Sequence, residues 1–376
     1  MRIVLSKMIS LVYLILTLIK LAYSYKLLAN LGRIRDNFDL AIVKFDSSNG
    51  YPVNYLATAG YSGDIDIWDI STATLIKNFG KSEGHSGMVG TLKNLGNGIL
   101  ASGDFSGDIR IWDLDKMKLK CNLDRSGVLH FNSINAFVLL DNGYLASGGR
   151  DKRVVIWDIQ SSKSIQVLQF NNDVVELASL ENGYLAVGLQ NGNIEIYDIT
   201  TYKNKFSFKH PNGGYNDYVS SLLALQDGYL ASGFGDSTVK IWDITNGKLK
   251  YIFDKSNGGH NLSVLSVELL ENGYIASSSK DKTIKIWNLS DGKLVFSCSH
   301  DSPVLSLAVL DNGYIASGGE DGSIKIWDAT NGILKFIFNQ SNGGHSDRII
   351  KLVPILNGLL ASTGNDRSTK LWDANN

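Results

Sequence analysis

The stretch Asn312–Asp328, NGYIASGGEDGSIKIWD, contains a tight turn, an apolar strand, a polar turn and an Ile-rich strand ending in Trp327-Asp328. Asn-Gly suits a type I′ hairpin turn, which demands positive φ at both central residues. Alone, the segment predicts one β-hairpin. Its weight comes from recurrence. Aligned on the Trp-Asp dipeptide, the pattern returns at Trp68, Trp112, Trp157, Tyr197, Trp242, Trp287, Trp327 and Trp372. The separations are 44, 45, 40, 45, 45, 40 and 45 residues. All seven tryptophans of the chain occupy this slot, and Tyr197 fills the remaining one.

Each unit reads alike. An apolar strand such as Val264–Leu270 comes first, then an Asn-Gly or Asp-Gly turn (Asn142, Asn182, Asp227, Asn272, Asn312, Asn357). A Tyr-Leu/Ile-Ala-Ser strand follows, then a polar turn, the Trp-Asp strand and a looser fourth strand. With 38 Gly against 4 Pro, short strands and tight turns dominate. Four antiparallel strands in this length have two apolar faces and cannot bury them alone; radial stacking covers both and removes long exposed edges.

On these residues the chain resembles the WD40-repeat β-propeller family, from about Tyr25 to the C-terminus. The resemblance implies an all-β fold of eight four-stranded blades in one domain, residues 25–376. The eighth unit has no fourth strand after Trp372. The segment Lys26–Leu31 (KLLANL) resembles the Lys-Leu starts of other fourth strands, as at Lys248-Leu249 and Lys293-Leu294. It is expected to complete the last blade, as chain ends do in this family.

The family also ties a His, a Ser/Thr, an Asp and the Trp of one blade into a hydrogen-bonded tetrad. Matching positions here imply complete sets at His130-Ser147-Asp151-Trp157, His260-Ser277-Asp281-Trp287, His300-Ser317-Asp321-Trp327 and His345-Ser362-Asp366-Trp372. Taken cold, Ser-His-Asp suggests a hydrolase triad. Fourfold repetition around a ring favours a structural joint, since catalysis needs one site with an oxyanion hole. Departures occur at Ser62 and Ser106 in the Asp slot and at Tyr215 in the fifth His slot. The fourth unit departs throughout, with Phe170, Val187, Asn191 and Tyr197.

Other chemistry finds no support in the sequence. A formal net charge of −1 argues against a general nucleic-acid binder. Cys121 and Cys298 are too few for a zinc site or disulfide framework, and they fall in opposite blades of an eight-blade ring, beyond bonding reach. Phosphate-loop and EF-hand spacings are absent. The expectation is therefore no enzyme, no catalytic residues, no metal and no cofactor.

The resemblance implies a scaffold or adaptor that binds proteins across the face carrying the second-to-third-strand turns. Residues expected there are Tyr61, Phe105, Arg150 and Lys280, from the position before the Asp slot. Met88, Tyr218 and Arg348, three residues after the His slot, join them. The Asn-Gly-Gly loops at 212–214, 257–259 and 342–344 are expected to stand on the same face. A substrate-recognition role beside a separate ubiquitin-ligase or signalling component is the alternative. Partners are expected to be proteins, with no nucleic acid and no small-molecule substrate.

Residues 1–24 differ from the rest. Arg2 and Lys7 flank the apolar run Met8–Ile19, and Ala22-Tyr23-Ser24 offers small residues where a signal peptidase reads. This is a signal-like layout. A cleaved signal peptide or a retained anchor would place the protein in the secretory pathway or at a membrane. A non-targeting extension would leave it cytoplasmic.

Overall fold

A computed structural model describes residues 26–33, 37–46, 52–80, 82–123, 130–211 and 213–375. The signal-like segment, 1–24, lies outside them. The described residues form eight four-stranded antiparallel sheets. Seven follow chain order. The eighth combines Ile349–Pro354, Leu359–Gly364 and Ser368–Asp373 with the N-terminal strand Lys26–Arg33. First strands of successive blades lie against each other, including blade 8 against blade 1, so the ring is closed.

The closing strand is a true fourth strand by its register. In every blade the pairing of third with fourth strand slips by one residue at the Trp slot, as between Ile156 and Trp157. Blade 8 shows the same bulge: Leu27 faces Trp372, and Ala29 faces Leu371. The slip sends Leu27 into the seam with blade 7 and turns Ala29 and Leu31 toward blade 1.

Buried apolar side chains form eight clusters, each shared by two adjacent blades. A recurring contact runs through them. The last apolar residue of one blade packs on the Trp of the next: Phe79 on Trp112 (4.4 Å between centroids), Phe253 on Trp287 (4.3 Å) and Phe338 on Trp372 (4.5 Å). Cys298 holds that position against Trp327. Its thiol is buried, in no disulfide, and donates to Gly332 O (3.6 Å); burial pushes it up to about 11. Cys121 is likewise free.

The Asn-Gly turns divide into two kinds. Asn182-Gly183, Asp227-Gly228 and Asn357-Gly358 have positive φ at both residues, as the type I′ reading requires. At Asn142, Asn272 and Asn312 only the following glycine is left-handed. There Leu140 N–H donates to Tyr144 O across three loop residues, as Leu225 N–H does to Tyr229 O, and Gly143 N–H donates to Leu140 O. That is a turn closed by a glycine bulge, equally compatible with Asn-Gly.

Candidate functional site

Blades 2 to 8 each place the second-to-third-strand turn beside the loop that leads into the first strand. In seven blades one hydrogen bond joins them: the residue before the Asp slot donates its N–H to the carbonyl three residues after the His slot. Examples are Phe105 to Met88 (2.9 Å), Arg150 to Ser133 (2.9 Å), Gly235 to Tyr218 (2.9 Å), Lys280 to Ser263 (3.0 Å) and Asn365 to Arg348 (2.8 Å). The sequence-selected positions therefore do share one face. Neighbouring blades meet there too. His85 N–H donates to Gly63 O (3.1 Å), seating the turn that bears Tyr61 on the loop that bears Met88. Gly63 is needed there: its φ is +78°, and a Cβ would lie 2.8 Å from Gly87 O.

Tyr61 is 50% exposed and Phe105 37%. Met88 is half-buried, whereas Arg150, Lys280 and Arg348 are exposed. Tyr218 is half-buried because its ring lies over Gly235. Two large apolar residues escaped the sequence reading. Phe131 (65% exposed) and Leu262 (52%) follow the blade 3 and blade 6 histidines. The guanidinium of Arg153 stacks 4.7 Å from the Phe131 ring. Both residues occupy the His-slot loops, a signal that could have found them.

The Asn-Gly-Gly loop of blade 8 serves structure as well as surface, because Lys370 Nζ donates to Gly343 O and Gly344 O (both 2.7 Å). On the opposite face, two adjoining clefts of about 240 and 480 Å³ lie between blades 4, 5 and 6, lined by Tyr184, Tyr229, Lys205 and Lys250.

Three tetrads form as expected. In blade 3, Trp157 Nε1–H donates to Ser147 Oγ (2.8 Å), His130 Nε2 lies 2.8 Å from that oxygen, and His130 Nδ1 lies 2.9 Å from Asp151. Blade 6 repeats the chain: Trp287 to Ser277 (2.9 Å), Ser277 with His260 (2.8 Å), and His260 with Asp281 (3.1 Å). Blade 8 does so through Trp372, Ser362, His345 and Asp366, at 2.7, 2.7 and 2.9 Å. Although burial opposes it, the bond and charge of His345 hold the Asp366 carboxyl well below the carboxylate range. Each serine is fully buried beneath its indole, the arrangement of a joint that satisfies buried polar atoms.

Blade 7 departs from expectation. Trp327 Nε1–H donates to Ser317 Oγ (2.8 Å), but neither ring nitrogen of His300 has a hydrogen-bond partner among the described residues. In blades 2 and 8 the cation two residues before Trp is held by carbonyls of a long loop: Arg110 by Glu83 O and Gly84 O, Lys370 by Gly343 O and Gly344 O. The unit ending at Trp327 is a short one without those carbonyls. Lys325 Nζ turns instead to Asp301 (2.7 Å), and Asp321 Oδ1 accepts from Ser323 N–H and O–H. Burial, reinforced by the Lys325 charge, pushes His300 down to about 4.

Two further blades improvise. In blade 5 the histidine that meets Asp236 is His210 (2.8 Å), from earlier in the loop than the Tyr215 slot; the Tyr215 side chain lies outside the described set. In blade 2, despite Ser106 in the Asp slot, His85 reaches Ser102 (2.6 Å) and faces Asp104 and Asp108. In blade 4 no tetrad forms. Val187 and Phe170 are buried, and Phe170 meets Tyr197 edge-on at 5.6 Å.

The first strands bring charge to the centre of the ring, another feature the repeat reading passed over. Burial pushes Glu268 up to about 7, against the pull of Lys351 and with the push of Glu176.

Residues 128–158, 205–243, 247–288 and 292–328, which end at the third strands of blades 3, 5, 6 and 7, match the family model described as WD domain, G-beta repeat (WD40). Among curated proteins none matches the sequence. The computationally designed Ika8 protein, known from a crystal structure, is similar in fold: TM-score 0.77, 24% identity, covering 93% of this chain and 99% of that one. Four repeats match the WD40 family model, and the eight blades of one plan make this chain an eight-bladed β-propeller.

Proposed function

We propose that this protein is a non-catalytic interaction scaffold that grips a segment or domain of a partner protein on the face of the second-to-third-strand turns. WD40 propellers generally bind protein partners, so the family supports the class. The finer reading rests on Tyr61, Met88 and Phe105 of the adjacent blades 1 and 2, with exposed Arg348 at the matching position of blade 8. An exposed cluster of aromatic, apolar and Arg side chains is the composition of binding hot spots. The buried Ser-His-Asp sets support the absence of catalysis, because each serine is covered by its tryptophan.

The test is affinity capture with a Tyr61→Ala/Phe105→Ala double variant beside a Lys205→Ala control on the opposite face. Loss of captured partners only with the double variant is the expected result. Unchanged capture would refute the assignment of the face. Thermal stability of the double variant should change by only about 0.5 kcal/mol per site, as for surface positions.

A further inference from the structure

In blade 2 the repeat plan leaves two buried polar atoms, His85 Nδ1 and Asp104 Oδ2, without a hydrogen-bond partner among the described residues. His85 Nε2 is anchored by Ser102 Oγ (2.6 Å), which accepts from Trp112 Nε1–H (2.8 Å). His85 Nδ1 then points between two carboxylates, 3.4 Å from Asp104 Oδ2 and 3.3 Å from Asp108 Oδ2. In blades 3 and 8 the same nitrogen sits 2.9 Å from its aspartate in a plain hydrogen bond. In blade 2 it bonds to neither oxygen. His85 Nδ1 and Asp104 Oδ2 are both buried without a hydrogen-bond partner among the described residues, and both side chains are fully inaccessible. A buried, unpaired donor or acceptor is costly, and here two face each other.

We propose that His85 Nδ1, Asp104 Oδ2 and Asp108 Oδ2 form a binding site for a divalent transition cation, with Zn²⁺ the best match. The three ligand atoms lie within 4.8 Å of one another. Zinc binds imidazole nitrogen and carboxylate oxygen at about 2.0–2.2 Å, so neighbouring tetrahedral ligands stand roughly 3.3–3.6 Å apart. The two separations of 3.3 and 3.4 Å fit such edges.

The supporting contacts are those a metal site requires. Asp104 Oδ1 accepts from Ser106 N–H (2.9 Å), Ser106 O–H (2.7 Å) and Asp108 N–H (2.9 Å), which aims Oδ2 at the histidine. Arg110 Nε–H donates to Asp108 Oδ2 (2.8 Å), the same oxygen that faces His85, and offsets one carboxylate charge. Gly87 keeps space open, since a Cβ there would come within 3.3 Å of Asp104 Oδ2. The Asp108 side chain is 19% exposed, leaving a route for the ion and a position for water as fourth ligand. Because Asp104 and Asp108 flank Ser106, this blade exchanges one tetrad aspartate for two ligands.

The full-length chain, stripped with chelator, is dialysed against limiting ZnCl₂ and its metal content measured. CoCl₂ is then substituted and the visible spectrum recorded. One zinc per chain is expected, with Co²⁺ absorption of a four-coordinate nitrogen–oxygen site and no thiolate band. Asp104→Asn should abolish uptake, Asp108→Asn should weaken it at least tenfold, and Asp151→Asn in blade 3 should leave it intact. Should Asp104→Asn fail to fold, the Asp108→Asn affinity and the ¹⁵N shift of His85 Nδ1 on adding zinc decide. Absence of stoichiometric uptake by the wild type, uptake unaltered by Asp108→Asn, or an Nδ1 still protonated with zinc present would overturn the proposal. The last would show an imidazolium bridging the two carboxylates instead.

Discussion

Blade 8 links His345, Ser362, Asp366 and Trp372 by three short hydrogen bonds in a buried space. Blade 4 puts Phe170, Val187, Asn191 and Tyr197 at the same positions and fills the space with an aromatic pair and aliphatic side chains. Both blades sit in the same ring with the same strand register. The joint is therefore workable either as a polar network or as a largely apolar packing. A complete network leaves no buried atom unpaired, and an apolar one has none to pair. Blade 7 stands between them, with an intact indole–serine bond and an orphaned His300. Intermediate states are where the cost should appear.

The largest effect is expected at the tryptophan itself. Trp372 is fully buried, stacks on Phe338 and holds Ser362. Trp372→Ala should cost about 3–5 kcal/mol in chemical denaturation as a large-to-small core change. A loss below about 1 kcal/mol would show that the polar joint, as built in blade 8, carries little of the ring.

Next comes the pH dependence of blade 7. The native His300 is neutral, held down to about 4 by burial and by the Lys325 charge. From roughly pH 6.5 down to 4 the unfolded chain binds a proton there that the folded chain does not. Stability therefore falls as pH falls through that window, by on the order of 2–3 kcal/mol in all. His345 is also lowered, chiefly by burial, and acts with the same sign. Replacing His300 by Phe copies the blade 4 solution and should flatten the stability–pH curve between pH 6.5 and 4. Urea melts across that range with an unaltered slope would absolve His300.

The smallest change tests the comparison from the other side. Val187→Ser installs one tetrad member in blade 4, where Tyr197 has no indole N–H to offer. It should destabilise by about 1–2 kcal/mol through a poorly satisfied buried hydroxyl. A neutral or stabilising outcome would mean that the tetrad residues act singly rather than as a set.

Much of this was legible in the repeat. Blade number, strand order and the closing role of Lys26–Leu31 all follow from spacing, turn residues and the aromatic slot, because each blade is a local unit whose apolar faces need identical neighbours. The joints of blades 3, 6 and 8, and their loss in blade 4, were readable from the family resemblance carried onto matching repeat positions. What the repeat could not show is how departures are repaired. His210 serves blade 5 from outside the expected slot, and Asp104 and Asp108 converge on His85 although neither holds the Asp position. His300 has the right neighbours in sequence yet lacks its bonds, while Lys325 beside it pairs with Asp301.

The sequence by itself determined the propeller and its ring closure, since periodic burial is written in residue types at fixed spacing. Only the tertiary structure decided which polar atoms find partners. Hydrogen bonds depend on tenths of an ångström and on loops from neighbouring blades, and no spacing rule carries that information.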